Sequence, residues 1–150
     1  MGSTLTNLII HVVFSTKNRD PVIDSRWEGE LHAYLGGIVK NEGGIPLTVG
    51  GIEDHVHLVV KLKPTHALSD VLQKVKGGSS KWVNDRRFLT CRFSWQEGYA
   101  AFSVSESLVH KVVEYVKNQR SHHENQTFQD EYRSLLKLHG VPFDERYLWG

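Results

Sequence analysis

Residues 55 to 62 read His-Val-His-Leu-Val-Val-Lys-Leu, and this octet limits the possible fold more than any other segment. Side chains alternate across a strand, so Val56, Leu58, Val60 and Leu62 form one apolar row while His55 and His57 emerge together on the other side. An apolar row of that kind must be covered by another layer of structure.

The remaining segments supply such layers. Residues 5 to 16 also alternate, with Leu8, Ile10, Val12 and Phe14 on one side and Ile9, His11, Val13 and Ser15 on the other. After Pro21 and Asp24-Ser25, residues 26 to 40 carry Trp27, Leu31, Tyr34, Leu35 and Ile38 at helical spacing, ended by Asn41 and Gly43-Gly44. Residues 47–50 and 55–62 read as a hairpin turning at 51–54. A second helix opens at or just before Ser69 and carries Val71, Leu72, Val75, Trp82 and Val83. Its Gly77-Gly78 pair costs roughly 2 kcal/mol by propensity, so either a backbone or phosphate approaches closely there or the helix breaks.

Residues 99–104 alternate again, and Ser105 caps a third helix running to about Gln119 with Leu108, Val109, Val112, Val113 and Val116 as its buried stripe. A last amphipathic stretch holds Phe128, Tyr132, Leu135 and Leu136 and closes at Gly140 before Pro142. The order β-α-β-β-α-β followed by further helices predicts an α+β, ferredoxin-like (RRM-like) antiparallel sheet with additional C-terminal helices. Two helices cover one face, leaving the other free for a site. No repeat, low-complexity tract or linker divides residues 1–150, which read as one domain.

Composition removes several function classes. With 39% hydrophobic and 23% charged residues the chain has material for a core and no bias toward disorder. No run approaches the roughly 18 apolar residues of a membrane span, and the N-terminus lacks a signal pattern, so the expected location is cytoplasmic. Cys91 is the only cysteine, which excludes an intrachain disulfide and a Cys-rich zinc site. The net charge of +1 hides a basic middle: residues 61–92 hold eight cations against two anions. Such a patch serves nucleic-acid binding or is simply a solvated helix face.

Two imidazoles two residues apart on a strand make half a metal site, though taken alone the pattern is more often surface or packing histidine. A third ligand must come from elsewhere. On the third helix Tyr115 and Gln119 are i and i+4, neighbours on one flank of the apolar stripe. Without the histidines they read as a boundary tyrosine and a helix-end polar residue.

Together these residues resemble a family. His55-Val56-His57 fits the signature of the HUH endonucleases, and the surrounding text is similar to the single-tyrosine transposases of small insertion sequences that move as single-stranded DNA. The similarity spans His11-Val12-Val13-Phe14-Ser15-Thr16-Lys17-Asn18-Arg19, residues 50–60, residues 73–82, Trp95-Gln96-Glu97-Gly98-Tyr99 and Tyr115-Val116-Lys117-Asn118-Gln119. The resemblance implies that His55, His57 and Gln119 are metal ligands and Tyr115 the nucleophile. Metal-dependent cleavage and rejoining of single-stranded DNA would then proceed through a covalent 5′-phosphotyrosine. It also implies a homodimer acting on single-stranded DNA with hairpin-containing ends. Those three side chains are expected on solvent-facing sides of their elements, with Glu53 or Asp54 next in line as third ligand.

The chemistry suits these residue types. A phosphodiester repels nucleophiles, and a cation on its nonbridging oxygens lowers the barrier. Neutral ligands leave that cation its full charge; Mg²⁺ or Mn²⁺ is expected, Zn²⁺ being a weaker fit to an amide ligand. A tyrosyl ester conserves the bond energy for rejoining. The sequence names no base for the phenol.

Lys17 and Arg19, with Lys74, Lys76 and Lys81, are the expected DNA contacts. Residues 77–81 lack P-loop spacing and no strand directly precedes them, so no nucleotide cofactor is expected. His122-His123-Glu124 reads as solvated, Trp27 and Trp82 as core, and Trp95 and Trp149 as core, interface or base-stacking groups. Two other functions fit the same fold: a noncatalytic single-stranded nucleic-acid-binding module, and a water-using metal-dependent nuclease in which Tyr115 is incidental. Against the first, no strand has the aromatic-rich signature of such modules, and Phe14 and Phe102 lie in buried rows.

Overall fold

The alternating segments pair into one antiparallel sheet in a computed structural model that describes residues 2–150. Its strands are β1 (Leu8–Ser15), β2 (Ile45–Ile52), β3 (His55–Leu62) and β4 (Ala100–Val104), in the order β2-β3-β1-β4. Two helices, α1 (Ser25–Asn41) and α2 (Leu68–Arg86), cover one face. There Val12, Phe14, Val56, Leu58, Val60 and Leu62 of the sheet meet Trp27, Leu31 and Leu35 of α1 and Val71, Leu72 and Val75 of α2. This is the expected ferredoxin-like arrangement. At the start of α1 the Asp24 carboxylate accepts from the backbone N–H of Arg26. Tyr34, expected in the apolar stripe of α1, instead lies at its exposed edge, stacked on Trp82 with ring centroids 4.6 Å apart.

The Gly77-Gly78 pair does not break α2. A Cβ on Gly78 would stand 3.1 Å from Ile38 Cδ1, so this glycine lets α1 and α2 pack closely. Gly77 has nothing within 4 Å of the equivalent point and carries only the propensity cost.

The second sheet face is not free, as the sequence suggested, but covered by α3 (Val109–Lys117), α4 (Gln119–His122) and α5 (Phe128–Leu138). Its apolar side chains require this cover. Ile9, Val59 and Val104 cluster with Val116 of α3, while Val13, Ala100 and Phe102 pack under Phe128, Tyr132 and Leu136 of α5. The third helix is also shorter than its periodicity suggests. Asn118, with φ −101° and ψ 25°, interrupts it, so Gln119 begins a separate turn. Ser105 precedes a 3₁₀ turn, Glu106–Leu108, and its hydroxyl meets Ser107 Oγ at 3.0 Å rather than capping a helix. Leu108 is consequently exposed.

Gly50 sets how deeply α3 sits. A Cβ there would lie 2.5 Å from the Val116 carbonyl oxygen, inside any tolerable contact, so only glycine lets the helix backbone rest on β2. Trp27 and Trp95 are core residues, and Trp95 donates its indole N–H to Ser79 Oγ at 2.9 Å. Trp149 lies between the guanidinium groups of Arg19 and Arg133, 5.3 and 5.1 Å from its ring centroid. No helix among the described residues is long and apolar enough to cross a membrane.

Two substitutions separate the roles of the glycines. Gly77→Ala should stabilise the fold by about 0.5–1 kcal/mol in urea denaturation. Gly50→Ala should destabilise it by about 1–3 kcal/mol through overpacking against α3. Unchanged stability of Gly50→Ala would show that α3 does not depend on this contact.

Candidate metal and nucleophile centre

On β3, alternation sends His55 and His57 to the second face, where α5 buries both completely. The expected solvent-facing placement is therefore overturned for both histidines, and Gln119 is 1% exposed. What closes over them is Glu131 of α5, itself 1% exposed. Its Oε1 lies 3.0 Å from His57 Nε2, 3.3 Å from His55 Nε2 and 3.0 Å from His123 Nε2. Its Oε2 accepts from the Tyr115 hydroxyl. Gln119 joins from α4, its Oε1 2.9 Å from His55 Nε2, and its amide nitrogen donates to the Tyr115 carbonyl at 3.4 Å. The helix break at Asn118 therefore leaves the expected neighbours together.

The far nitrogens of the two imidazoles are also engaged. His55 Nδ1 is 2.7 Å from Asp54 Oδ1, and His57 Nδ1 is 2.8 Å from His11 Nε2 of β1. Asp54, expected as an alternative ligand, thus sits behind His55, and Glu53 is drawn to Arg120 at 2.7 Å. His123 is not solvated as expected: its side chain is 3% exposed and tied to Glu131. His122 remains nearer solvent, with Nε2 3.4 Å from the Tyr115 hydroxyl.

Burial and charge set the protonation of the group. Burial alone would raise the Glu131 carboxyl, but hydrogen bonds from His123, His55 and His57 outweigh it and hold the group well below the usual carboxylate range. Burial opposes a charge on His55, yet its bonds to Asp54 and Glu131 raise it to about 9. Burial lowers His57, and lowers His11 to about 3 with help from the neighbouring His57. Tyr115 is half-buried and pushed up by that burial and by the Glu131 charge, so its phenol keeps its proton.

One ligating atom each from His55, His57 and Glu131 lies within 4.8 Å of the others, and two imidazole nitrogens with a carboxylate oxygen suit a divalent cation. A buried group of this composition can hold a metal ion. A groove of about 450 Å³ between α3 and α5 leads to it, lined by His11, Lys111, Tyr115, His122, Glu131 and His139 among others.

Sequence reading missed Glu131, His11 and His123. Glu131 did leave a signal: it falls three residues after Phe128 and four before Leu135, a charge on the buried stripe of an amphipathic helix. His11 likewise lies on an inward-facing row between Ile9 and Val13.

The expected DNA-contacting cations are dispersed. Lys74 is exposed, and Lys81 pairs with Asp85 at 2.7 Å. Lys76 donates to the carbonyls of Gln96, Glu97 and Gly98 at 2.6, 2.9 and 2.7 Å, and burial lowers it to about 8. All three stand on α2, across the sheet from the histidines. Lys17 is exposed, whereas Arg19 lines a groove of about 720 Å³ that also touches Asp54, His123 and Asp130.

Known proteins resemble the chain over most of its length. The chain is 25% identical over 114 residues to the ISDra2 transposase TnpA of Deinococcus radiodurans, covering 73% of this chain and 81% of that protein. A crystal structure of a Deinococcus radiodurans R1 protein assigned as a transposase superposes with a TM-score of 0.65 at 23% identity, over 79% of this chain and 95% of that one. A REP-associated tyrosine transposase, solved bound to a REP hairpin, gives 0.62 at 12% identity over 100% of this chain and 94% of that one, and shares the fold. The family described as "Transposase IS200 like" matches residues 4–119, a span that includes His55, His57, Tyr115 and Gln119 and ends before α5. The chain belongs to this IS200-like transposase family.

Proposed function

We propose that this transposase cuts and rejoins single-stranded DNA at the Tyr115 hydroxyl, with hairpin-containing element ends as its substrate. The observation that supports this reading is the shared carboxylate: one oxygen of Glu131 faces the histidine pair and the other faces the phenol. His55, His57 and Glu131 would hold Mg²⁺ or Mn²⁺, with Gln119 as a further neutral ligand beside His55. Such an ion, when bound, supplies charge neutralisation at the nonbridging phosphate oxygens.

The protein's own groups account for the rest. Glu131 Oε2 accepts the hydrogen bond of the Tyr115 hydroxyl and orients it, and the phenol gives its proton to solvent in the groove as Tyr115 Oη forms its bond to phosphorus. The bond from phosphorus to the 3′ oxygen breaks and that oxygen takes a proton from solvent, releasing a 3′-hydroxyl end and leaving a 5′-phosphotyrosine. In rejoining, a 3′ hydroxyl gives its proton to solvent as it attacks this ester, the bond from phosphorus to Tyr115 Oη breaks, and the phenolate takes a proton back, again hydrogen-bonded to Glu131. Lys17, Arg19, Lys74 and Lys81 are read as backbone contacts, and Lys76 as support for the turn at 96–98.

Tyr115→Phe removes one oxygen and should bind Mn²⁺ like the wild type while forming no adduct. Glu131→Gln should lower cleavage by on the order of 10²-fold or more. Denaturing gels of labelled single-stranded DNA with Mn²⁺, followed by peptide mapping, provide the check. An adduct at another tyrosine would overturn the nucleophile assignment, and cleavage without adduct would favour a water-using nuclease.

Lys74→Ala and Lys81→Ala should each flatten the salt dependence of single-strand binding by about 0.7 in log–log slope. Lys76→Met should instead destabilise the fold by about 1–3 kcal/mol, because three carbonyls lose their donor. Slopes unchanged in the first pair would remove α2 from the DNA surface.

We also read the chain as a homodimer. β4 pairs with β1 on one side only, and its other edge has no strand partner among the described residues. Light scattering at micromolar concentration should give twice the chain mass; a monomer with and without DNA would refute it.

A further inference from the structure

We propose that His11 is a positioning residue for the histidine pair, setting the ring tautomer of His57 so that its Nε2 lone pair can face the site. The inference rests on the metal site proposed above.

The two metal-facing imidazoles are supported from behind by different chemistry. His55 Nδ1 faces the Asp54 carboxylate, which only accepts, so that nitrogen always carries a proton. His57 Nδ1 faces another imidazole. β1 and β3 pair with Val13 opposite His57 and His11 opposite Val59, so His11 and His57 are diagonal neighbours on the same face. Their nitrogens are 2.8 Å apart and their rings nearly parallel, 22° between planes. His11 is 3% exposed and His57 fully buried, so neither nitrogen can turn to bulk water instead.

A neutral imidazole has one N–H and one lone pair. With Glu131 Oε1 alone against His57 Nε2, that nitrogen must donate, because a carboxylate cannot. His57 Nδ1 then accepts, and His11 Nε2 donates to it. For His57 Nε2 to offer its lone pair to a cation, the arrangement must reverse, with Nδ1–H donating to His11 Nε2. The balance closes without net charge on the pair. The His57 Nε2 proton leaves to solvent, the His11 Nε2 proton crosses to His57 Nδ1, and His11 Nδ1 takes one proton from the groove it lines. Histidine can serve in both states at position 11, whereas an apolar side chain leaves a buried N–H unpaired in the second.

The test compares wild type, His11→Leu and His11→Gln. Long-range ¹H–¹⁵N spectra of the wild type should show both His57 and His11 moving their proton from Nε2 to Nδ1 when Mg²⁺ is added. Calorimetry with Mn²⁺ should show His11→Leu binding about 10–100-fold more weakly. His11→Gln, whose amide can donate or accept, should recover most of that loss. The wild-type spectra stand even if His11→Leu does not fold. Wild-type affinity in His11→Leu, or a His57 tautomer unchanged by Mg²⁺, would overturn the inference while leaving the metal site standing. A wild type that takes up no Mn²⁺ would overturn the site itself, and the inference with it.

Discussion

Glu131 brings a negative charge into a space lined by three imidazoles and a phenol, in a position where it is 1% exposed. An isolated carboxylate buried this way would cost several kcal/mol. Here every direction in which the charge acts is met by a donor: His57 and His123 at 3.0 Å, His55 at 3.3 Å, and the Tyr115 hydroxyl. The arrangement fixes more than its own energy. It pins α5 onto the sheet, draws in the segment following α4 through His123, and holds the Tyr115 ring edge-on to His57 and His11. The polar centre and the apolar packing around it, Phe128 and Tyr132 on Val13 and Phe102, therefore depend on one another.

The layers around this centre rest on simple steric rules. Gly50 brings α3 down to β2, and that depth lets Tyr115 reach a carboxylate on a different helix. Gly78 performs the corresponding task on the opposite face, where α1 and α2 meet at Ile38. The sheet between them keeps the chemistry apart from the basic face of α2.

Much of this was legible in sequence, and the missing parts share a cause. The apolar row from Val56 to Leu62 and the helical spacing in α1, Tyr34 apart, are local patterns that appear where the sequence places them, and Tyr115 and Gln119 stay neighbours although the helix breaks between them. The resemblance to single-tyrosine transposases was equally readable, because its motifs are short blocks within residues 4–119. Glu131 lies beyond that span, and its meaning depends on a histidine 74 positions earlier. The role of Lys76 depends on carbonyls 20 to 22 residues away, which no periodicity reveals. Asn118 ends α3 without a proline or glycine to mark it.

The burial of the histidine pair bears on how a tyrosyl ester would fare once formed. His55 and His57 have no contact with solvent, and the α3–α5 groove reaches the centre on the side where Tyr115 stands. In the proposed reaction a phosphodiester in that groove would occupy the space through which a water molecule must also pass. The competition between strand transfer and hydrolysis would then be decided by access rather than by intrinsic reactivity, since water is far more abundant than a 3′ hydroxyl and the better supplied rival. The burial of the histidine pair behind the nucleophile would give the DNA end the longer waiting time that rejoining requires.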